Sequence, residues 1–113
     1  MRPEILYLTD IIEAADAIAR FLDEIEQETF LADELRQSAV LQKLIVIGEA
    51  AGHLGSAFYT RHSAIEWRDI ISFRNFAVHE YFSVNWEVVW TTATLEVPLL
   101  REKIAIILKE MKK

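Results

Sequence analysis

The apolar positions of this 113-residue chain recur at three- and four-residue steps, the pattern of amphipathic helices. The chain has only three glycines and two prolines, and no turn-bounded alternation that would predict strands. The first predicted helix covers about residues 3–26 and presents an acidic side to solvent. Its apolar side consists of Ile5, Leu8, Ile12, Ala15, Ala19, Leu22 and Ile25.

The second predicted helix begins near Asp33 and runs to about Phe58. Its middle is densely apolar, and Gly48 within it favours close packing against another helix. Gly52 and Gly55 weaken its end, so a loop through residues 60–62 is expected to follow.

The third and fourth predicted helices contain most of the polar chemistry. The third begins at Ser63, because serine followed three residues later by Glu66 is the capping-box pattern, and it runs to about Tyr81. The fourth is capped by a residue of the 83–85 stretch and runs to the end of the sequence. Pro98 is expected to kink or interrupt it.

Four helices with short connections predict an all-α fold. The arrangement expected is an antiparallel four-helix bundle in one domain, residues 1–113, or five helices if Pro98 divides the last. Hydrophobic residues make up 52% of the chain, which is high for a soluble domain of this size. Burial against a second copy, in a homodimer or a higher even oligomer, is therefore expected.

Composition excludes several kinds of site. The absence of cysteine rules out disulfides, thiolate metal sites and cysteine nucleophiles. No apolar run has the roughly 18–20 residues of a membrane span. The N-terminal stretch lacks a signal-peptide core, so an intracellular, cytoplasmic protein without membrane contact is expected. No cofactor is expected either.

The negative charge is concentrated at one end of the chain. Residues 1–34 contain ten acids and two arginines, a net charge of −8, whereas residues 35–113 have a net charge of +2. The second part therefore permits an anionic ligand despite the overall charge of −6. The acidic first helix is either a solvated face or a surface that attracts a basic partner.

The segment FRNFAVHEYF, residues 73–82, places Arg74, Asn75 and His79 among apolar residues. Those apolar residues are Phe73, Phe76, Val78, Tyr81 and Phe82. They are expected to fix the helix while the polar groups are held at its exposed end. A purely structural role is the alternative, since an isolated histidine in a helix is often a satisfied core group.

Helical spacing limits how these polar groups can meet. Asn75 and His79 are four residues apart and share a face, and Arg74 and Tyr81 are seven apart and share another. His79 lies about 140° around the helix from Arg74. The groups can therefore converge only at a frayed helix end or across a dimer interface.

Residues 74–81 resemble the R-N-x-x-x-H-x-Y signature of the HepT-like branch of the HEPN superfamily. Further similarities are the stretches Y-L-T-D-I at 7–11, I-G-E-A at 47–50 and V-V-W at 88–90, and the tryptophan at position 67. The resemblance thus covers nearly the whole chain. It departs in the segment before Trp67, where a proline common in the family is replaced by the expected Ser63–Glu66 cap.

The resemblance implies an RNA-cleaving toxin of a toxin–antitoxin pair. Such proteins are helical dimers in which arginine and histidine, here Arg74 and His79, line a cleft between protomers. The implied partners are an RNA substrate (tRNA or mRNA, with no DNA expected) and an MntA-type minimal nucleotidyltransferase. That antitoxin silences the toxin by transferring AMP from ATP to the motif tyrosine, which is Tyr81 here.

These residue types suit metal-independent RNA cleavage. A histidine such as His79 can serve as base or acid, and Arg74 offers a planar charged fork for phosphate oxygens. Asn75 is expected to orient the ring or the substrate, and Tyr81 offers a hydroxyl. Glu49 is expected to be a buried partner of Arg74 or of another basic residue. AMP on Tyr81 would add negative charge beside the phosphate site.

Three other readings stay open from the sequence. One is a non-catalytic nucleotide- or substrate-binding subunit of a nucleotidyltransferase complex, although relatives of that kind tend to lose the arginine–histidine pair. Another is a plain helical dimerisation module. The third is metal binding by Glu49 and His53, which are four residues apart, but two ligands do not make a site, so no metal is expected.

Overall fold

The computed structural model describes residues 2–113, and the chain forms a helical bundle. Helix α1 spans Glu4–Phe21, and of its predicted apolar side only Leu8 and Ala15 are buried, while Ala19 is exposed. The other buried residues of α1 are Ile11, Ala14, Ala17 and Ile18, so the face that packs into the core is rotated from the predicted one. The helix ends at Phe21 and not near residue 26, because Glu24 adopts a φ of 58°, a left-handed conformation that stops a helix. Helix α2, Gln27–Leu31, follows and buries Phe30 in the core.

The second predicted helix is divided in two. Helix α3 spans Glu34–Gly52 and is capped by Asp33, whose side chain accepts a hydrogen bond from the Arg36 N–H. Helix α4 spans Ser56–Arg61 and follows a break at Gly55, whose φ of 90° favours glycine. The loop expected at 60–62 was therefore placed wrongly, since most of it belongs to α4.

Helix α5 spans Trp67–His79, so the capping box predicted at Ser63 and Glu66 is wrong. Residues 62–65 form a turn, closed by a hydrogen bond from the Ile65 N–H to the His62 carbonyl. The side chains of Ile65 and Trp67 are buried, and the Trp67 indole N–H donates to the same carbonyl at 3.0 Å. Burial of these two residues fixes the turn and delays the start of the helix.

The last two helices form one rod with an irregular middle. Helix α6, Trp86–Thr91, is capped by Asn85, whose Oδ1 accepts hydrogen bonds from the N–H groups of residues 87 and 88. A π-helical segment, Thr92–Glu96, joins it to helix α7, Val97–Met111. The irregularity expected at Pro98 thus lies just before it, where wider turns accommodate a residue that lacks an N–H.

The four long elements pack around one core. Helices α1 and α3 are antiparallel, since Tyr7 stacks on His53 at one end and Arg36 Nε donates to the Phe21 carbonyl at the other. Helix α5 packs on α3, and α7 packs on α1. The predicted all-α bundle is therefore confirmed. Its largest fully buried side chains are Phe30, Phe58, Leu8, Ile11, Ile18, Leu41, Ile104, Val40 and Val89.

Two polar or aromatic features support this packing. Arg101 of α7 pairs with Asp16 of α1 at 2.9 Å, and this hydrogen bond holds the pKa of the Asp16 carboxyl below its usual value. Trp67 is buried, while Trp86 and Trp90 are partly buried and contact the Phe30 ring. Within residues 2–113, no helix has the length and apolarity that crossing a bilayer requires.

Candidate active site at the end of α5

The position of Arg74 is set by close contact between α3 and α5. Gly48 of α3 lies directly against the Arg74 side chain. A Cβ atom on Gly48 would clash with the Arg74 Cβ, and would lie 2.9 Å from its Cγ and 3.2 Å from the Ile70 carbonyl oxygen. The close helix packing predicted for Gly48 is confirmed, and it brings the backbone of α5 to the polar residues that follow in α3.

The Arg74 guanidinium is held by two neighbours. Its Nη2 lies 2.7 Å from Glu49 Oε2, and its Nη1 donates to Asn75 Oδ1 at 3.0 Å. Its Nε is buried and has no hydrogen-bond partner among residues 2–113. Glu49 is thus the partner of Arg74 that the sequence predicted, but its side chain is 51% exposed, so the prediction that it is buried is wrong.

The polar cluster extends beyond the residues identified from the sequence. His53 Nε2 lies 3.4 Å from Glu49 Oε1, and the His53 ring stacks on Tyr7 of α1 with 5.0 Å between centroids. The Arg2 guanidinium lies over the Tyr7 ring, with 4.8 Å between its Cζ and the ring centroid. The four-residue spacing of Glu49 and His53 indicates their contact. No sequence spacing indicates the contact of His53 in α3 with Tyr7 in α1.

His79 and Tyr81 lie where α5 ends. The helix stops at His79, residue 80 leaves the helical conformation with φ −125° and ψ 43°, and a 3₁₀ turn spans Tyr81–Ser83. Tyr81 therefore does not continue the helical face of Arg74, contrary to the spacing argument. Asn75 and His79 both lie on the exposed side of α5, as their spacing predicted. The hydrogen bond that Asn75 makes is to Arg74.

The apolar residues around the motif do not fix the helix as expected. Ala77 is buried and Phe73 is partly buried, but the remainder form an exposed surface, here called the motif patch. The motif patch consists of Phe76, Val78, Tyr81 and Phe82. The first three are between 43% and 45% exposed, and Phe82 is fully exposed. Exposed apolar surface of this kind marks a contact site for another molecule.

Arg74 and His79 lie apart within the chain. They are separated by about 140° around α5 and about 7.5 Å along its axis. Arg74 points toward α3, where it contacts Glu49, while His79 is exposed beside the motif patch. The geometry therefore provides a fixed cation and an exposed imidazole, with uncovered apolar surface adjoining them. Among residues 2–113, no group of three or more histidine, aspartate or glutamate side chains is placed to hold a metal ion.

Comparison with known proteins shows the family of the chain. The family model described as ribonuclease HepT-like matches residues 11–107. The chain therefore belongs to the ribonuclease HepT-like family, which confirms the family and the enzyme class, a ribonuclease, that the sequence predicted.

Individual relatives span most of the chain. A probable ribonuclease HepT of Thermococcus cleftensis is 39% identical over 97 residues, which are 86% of this chain and 88% of that protein. A suspected RNase of Caldanaerobacter subterraneus is 32% identical and covers 94% of this chain and 95% of its own. Another suspected RNase, from Methanocaldococcus jannaschii, is 31% identical over 93% of this chain and 87% of its own length. No solved structure gives a significant match.

Proposed function

We propose that this protein is a metal-independent endoribonuclease whose active site is completed by two protomers. The observation that carries the proposal is the separation of Arg74 from His79 within one chain, next to an exposed motif patch. Covering the motif patch with a second copy would remove apolar surface from water. A two-fold axis there would also bring the His79 of each copy toward the Arg74 of the other.

The residues have complementary roles in cleavage. His79 removes the proton from the ribose 2′-hydroxyl, the 2′-oxygen attacks phosphorus, and the bond to the 5′-oxygen breaks. The proton that His79 has taken then reaches the departing 5′-oxygen through solvent, so one His79 and one Arg74 are enough for a site. The products are a 2′,3′-cyclic phosphate and a 5′-hydroxyl. Arg74 stabilises the negative charge that develops on the non-bridging oxygens.

Glu49 and Asn75 prepare Arg74 for this role. A guanidinium has five N–H groups, and these two neighbours use only part of that capacity. Donors therefore remain for phosphate oxygens of an RNA. Since the Glu49 carboxylate competes with phosphate for the same cation, it also limits binding of anions that make few other contacts.

The proposed biological role is that of a toxin controlled by an antitoxin. The Tyr81 ring is partly exposed, on a short turn beside the motif patch. Its hydroxyl is therefore within reach of an MntA-type nucleotidyltransferase, which would transfer AMP from ATP to it. The added phosphate places negative charge next to His79, and this charge repels the RNA backbone. The expected substrate is tRNA or mRNA.

The proposal is tested by cleavage of a labelled RNA in EDTA. We compare wild type with His79→Ala and with the control His62→Asn, after mass spectrometry has shown that Tyr81 is unmodified and circular dichroism that all three are folded. Cleavage by wild type and His62→Asn alone supports the proposal. Equal cleavage by His79→Ala contradicts the assigned site. No cleavage by any of the three favours a nucleotide-binding subunit.

A further inference from the structure

A second uncovered surface lies on a different side of the molecule. Since α5 packs on α3 and α7 packs on α1, a groove remains between α5 and α7, here called the α5–α7 groove. Its volume is about 370 Å³, and α3 forms its floor. Its apolar lining includes Leu44, Ile47, Ile65, Ile70, Phe73 and Leu100. A closed bundle would fill this space with a helix.

The groove is acidic at its edges. Glu66 and Asp69 of the α5 side and Glu96 of the rod line it, with Lys103 as the only basic side chain in its lining. The Lys103 ammonium already donates to the Ala64 carbonyl at 3.4 Å. An occupant of this groove should therefore combine apolar side chains with positive charge.

The C-terminal half of α7 has this composition. Residues 104–113 contain three lysines and one glutamate. Ile106 projects from it and is 60% exposed, and Met111 is exposed near its end. Leu99, which lines the groove at the other half of the rod, is as exposed as Ile106. One end of the rod thus offers an acidic apolar groove and the other offers basic apolar side chains.

We propose that the α5–α7 groove receives the C-terminal half of α7 from a second copy of this chain, in a reciprocal two-fold arrangement. Antiparallel pairing of the two rods places the basic end of each beside the acidic groove of the other. The inserted segment is short enough for the groove, since residues 104–111 span about 12 Å and the part of the rod that contains the groove residues, 92–103, spans about 18 Å. Ile106 of each copy then contacts the exposed Leu99 side of its neighbour.

This interface is separate from the proposed active site. Phe73, which lines the groove, lies about 120° around α5 from His79. A chain that uses the motif patch for one two-fold contact and the α5–α7 groove for another forms a closed assembly of four copies when the two axes intersect at right angles, which is the arrangement proposed here. The RNA site then stays open to substrate, because the groove contact covers neither His79 nor Tyr81.

Molar mass by light scattering tests the proposal. Wild type is expected to contain four copies, and Ile106→Glu two copies with RNA cleavage retained. Reversing the groove charges with Asp69→Lys and Glu96→Lys should also give two copies, as should Lys109→Glu with Lys112→Glu. An equimolar mixture of the two reversed proteins should recover four copies, because acidic and basic ends are then exchanged. A mass unchanged by Ile106→Glu and by both reversals overturns the proposal.

A variant of the motif patch separates this proposal from the proposed function. Phe82→Asp should reduce wild type from four copies to two by breaking the active-site contact, and should abolish cleavage. If Phe82→Asp alters nothing while Ile106→Glu halves the mass, the groove interface stands and the shared active site is contradicted. If only Phe82→Asp halves the mass, the groove interface is overturned and the shared active site stands.

Discussion

Arg74 of α5 and Glu49 of α3 form an ion pair across the two helices, with 2.7 Å between Nη2 and Oε2. Through this contact, α3 determines the position of the Arg74 guanidinium, the proposed catalytic cation. Asn75 holds the opposite Nη of the same guanidinium. The orientation of Arg74 is therefore fixed before any RNA binds.

The ion pair predicts a graded effect of substitutions at Glu49. Glu49→Gln keeps an oxygen that can accept from Arg74, so the single-turnover cleavage rate should stay within several-fold of wild type. Glu49→Ala removes the acceptor and should lower the rate about tenfold, equivalent to about 1.4 kcal/mol. Glu28→Ala serves as the control, because Glu28 is an exposed residue of α2, a helix that contains neither Arg74 nor Glu49. A Glu49→Ala rate equal to wild type would contradict a positioning role.

Gly48 and Gly52 provide a matched pair within one helix. Gly48→Ala places a Cβ against Arg74 and should reduce the free energy of unfolding by about 1–3 kcal/mol, because α3 and α5 must separate. Gly52→Ala meets no atom within 4 Å and should leave stability unchanged or raise it by up to about 1 kcal/mol. Urea denaturation measures both. Equal effects of the two substitutions would show that the helices are not in close contact at Gly48.

Much of the bundle follows from the sequence because helical periodicity is a local property. The existence of α1 could be predicted, although only Leu8 and Ala15 of its predicted apolar side are buried, and the cap at Asn85 lies within the stretch expected to hold it. The capping box at Ser63 could not be excluded, since burial of Ile65 and Trp67 is a tertiary effect that overrides the local pattern. The division at Gly55 likewise depends on a positive φ that the sequence permits but does not require.

The candidate site, like the fold, could be predicted only in part from the sequence. The Arg74–Glu49 pair could be proposed from residue types, but the exposure of Glu49 depends on where α3 ends relative to its neighbours. The stacking of His53 on Tyr7 joins residues 46 positions apart and has no local signal. The motif patch looked like core because its residues are apolar, and the pattern of apolar residues does not distinguish a buried face from an exposed one.

The Asp16–Arg101 pair predicts a dependence of stability on pH. The pKa of Asp16 is lowered in the folded state by the Arg101 guanidinium, so the folded protein binds fewer protons than the unfolded chain in acid. The stabilisation is present above the ordinary aspartate pKa of about 3.9 and is lost as the pH falls through the lower folded value.

Thermal unfolding of Asp16→Asn checks this dependence. Both side chains are more than 40% exposed, so the loss at pH 7 should be below about 1 kcal/mol. The difference from wild type should shrink as the pH falls below about 4, where the wild-type carboxyl becomes protonated as well. A difference that stays constant or grows in acid would contradict a contribution from the charged pair.

Tyr81 gives a direct test of control by an antitoxin. Incubation with an MntA-type nucleotidyltransferase and ATP should add AMP to wild type and stop RNA cleavage. Tyr81→Phe should gain no mass and should keep cutting RNA in the presence of the partner. Tyr7→Phe is the control, because its ring can still stack on His53 while one hydroxyl is lost. Modification of Tyr81→Phe at the wild-type level would place the target elsewhere.

The shared active site is tested most directly by mixing two inactive proteins. Arg74→Ala and His79→Ala are unfolded together, refolded as a mixture and assayed on labelled RNA in EDTA. If each site takes Arg74 from one protomer and His79 from the other, half of the pairs in a random mixture contain one intact site. Activity should then return to about a quarter of wild type. If each protomer contains a complete site of its own, the mixture should be as inactive as its two components, and that result would contradict the account.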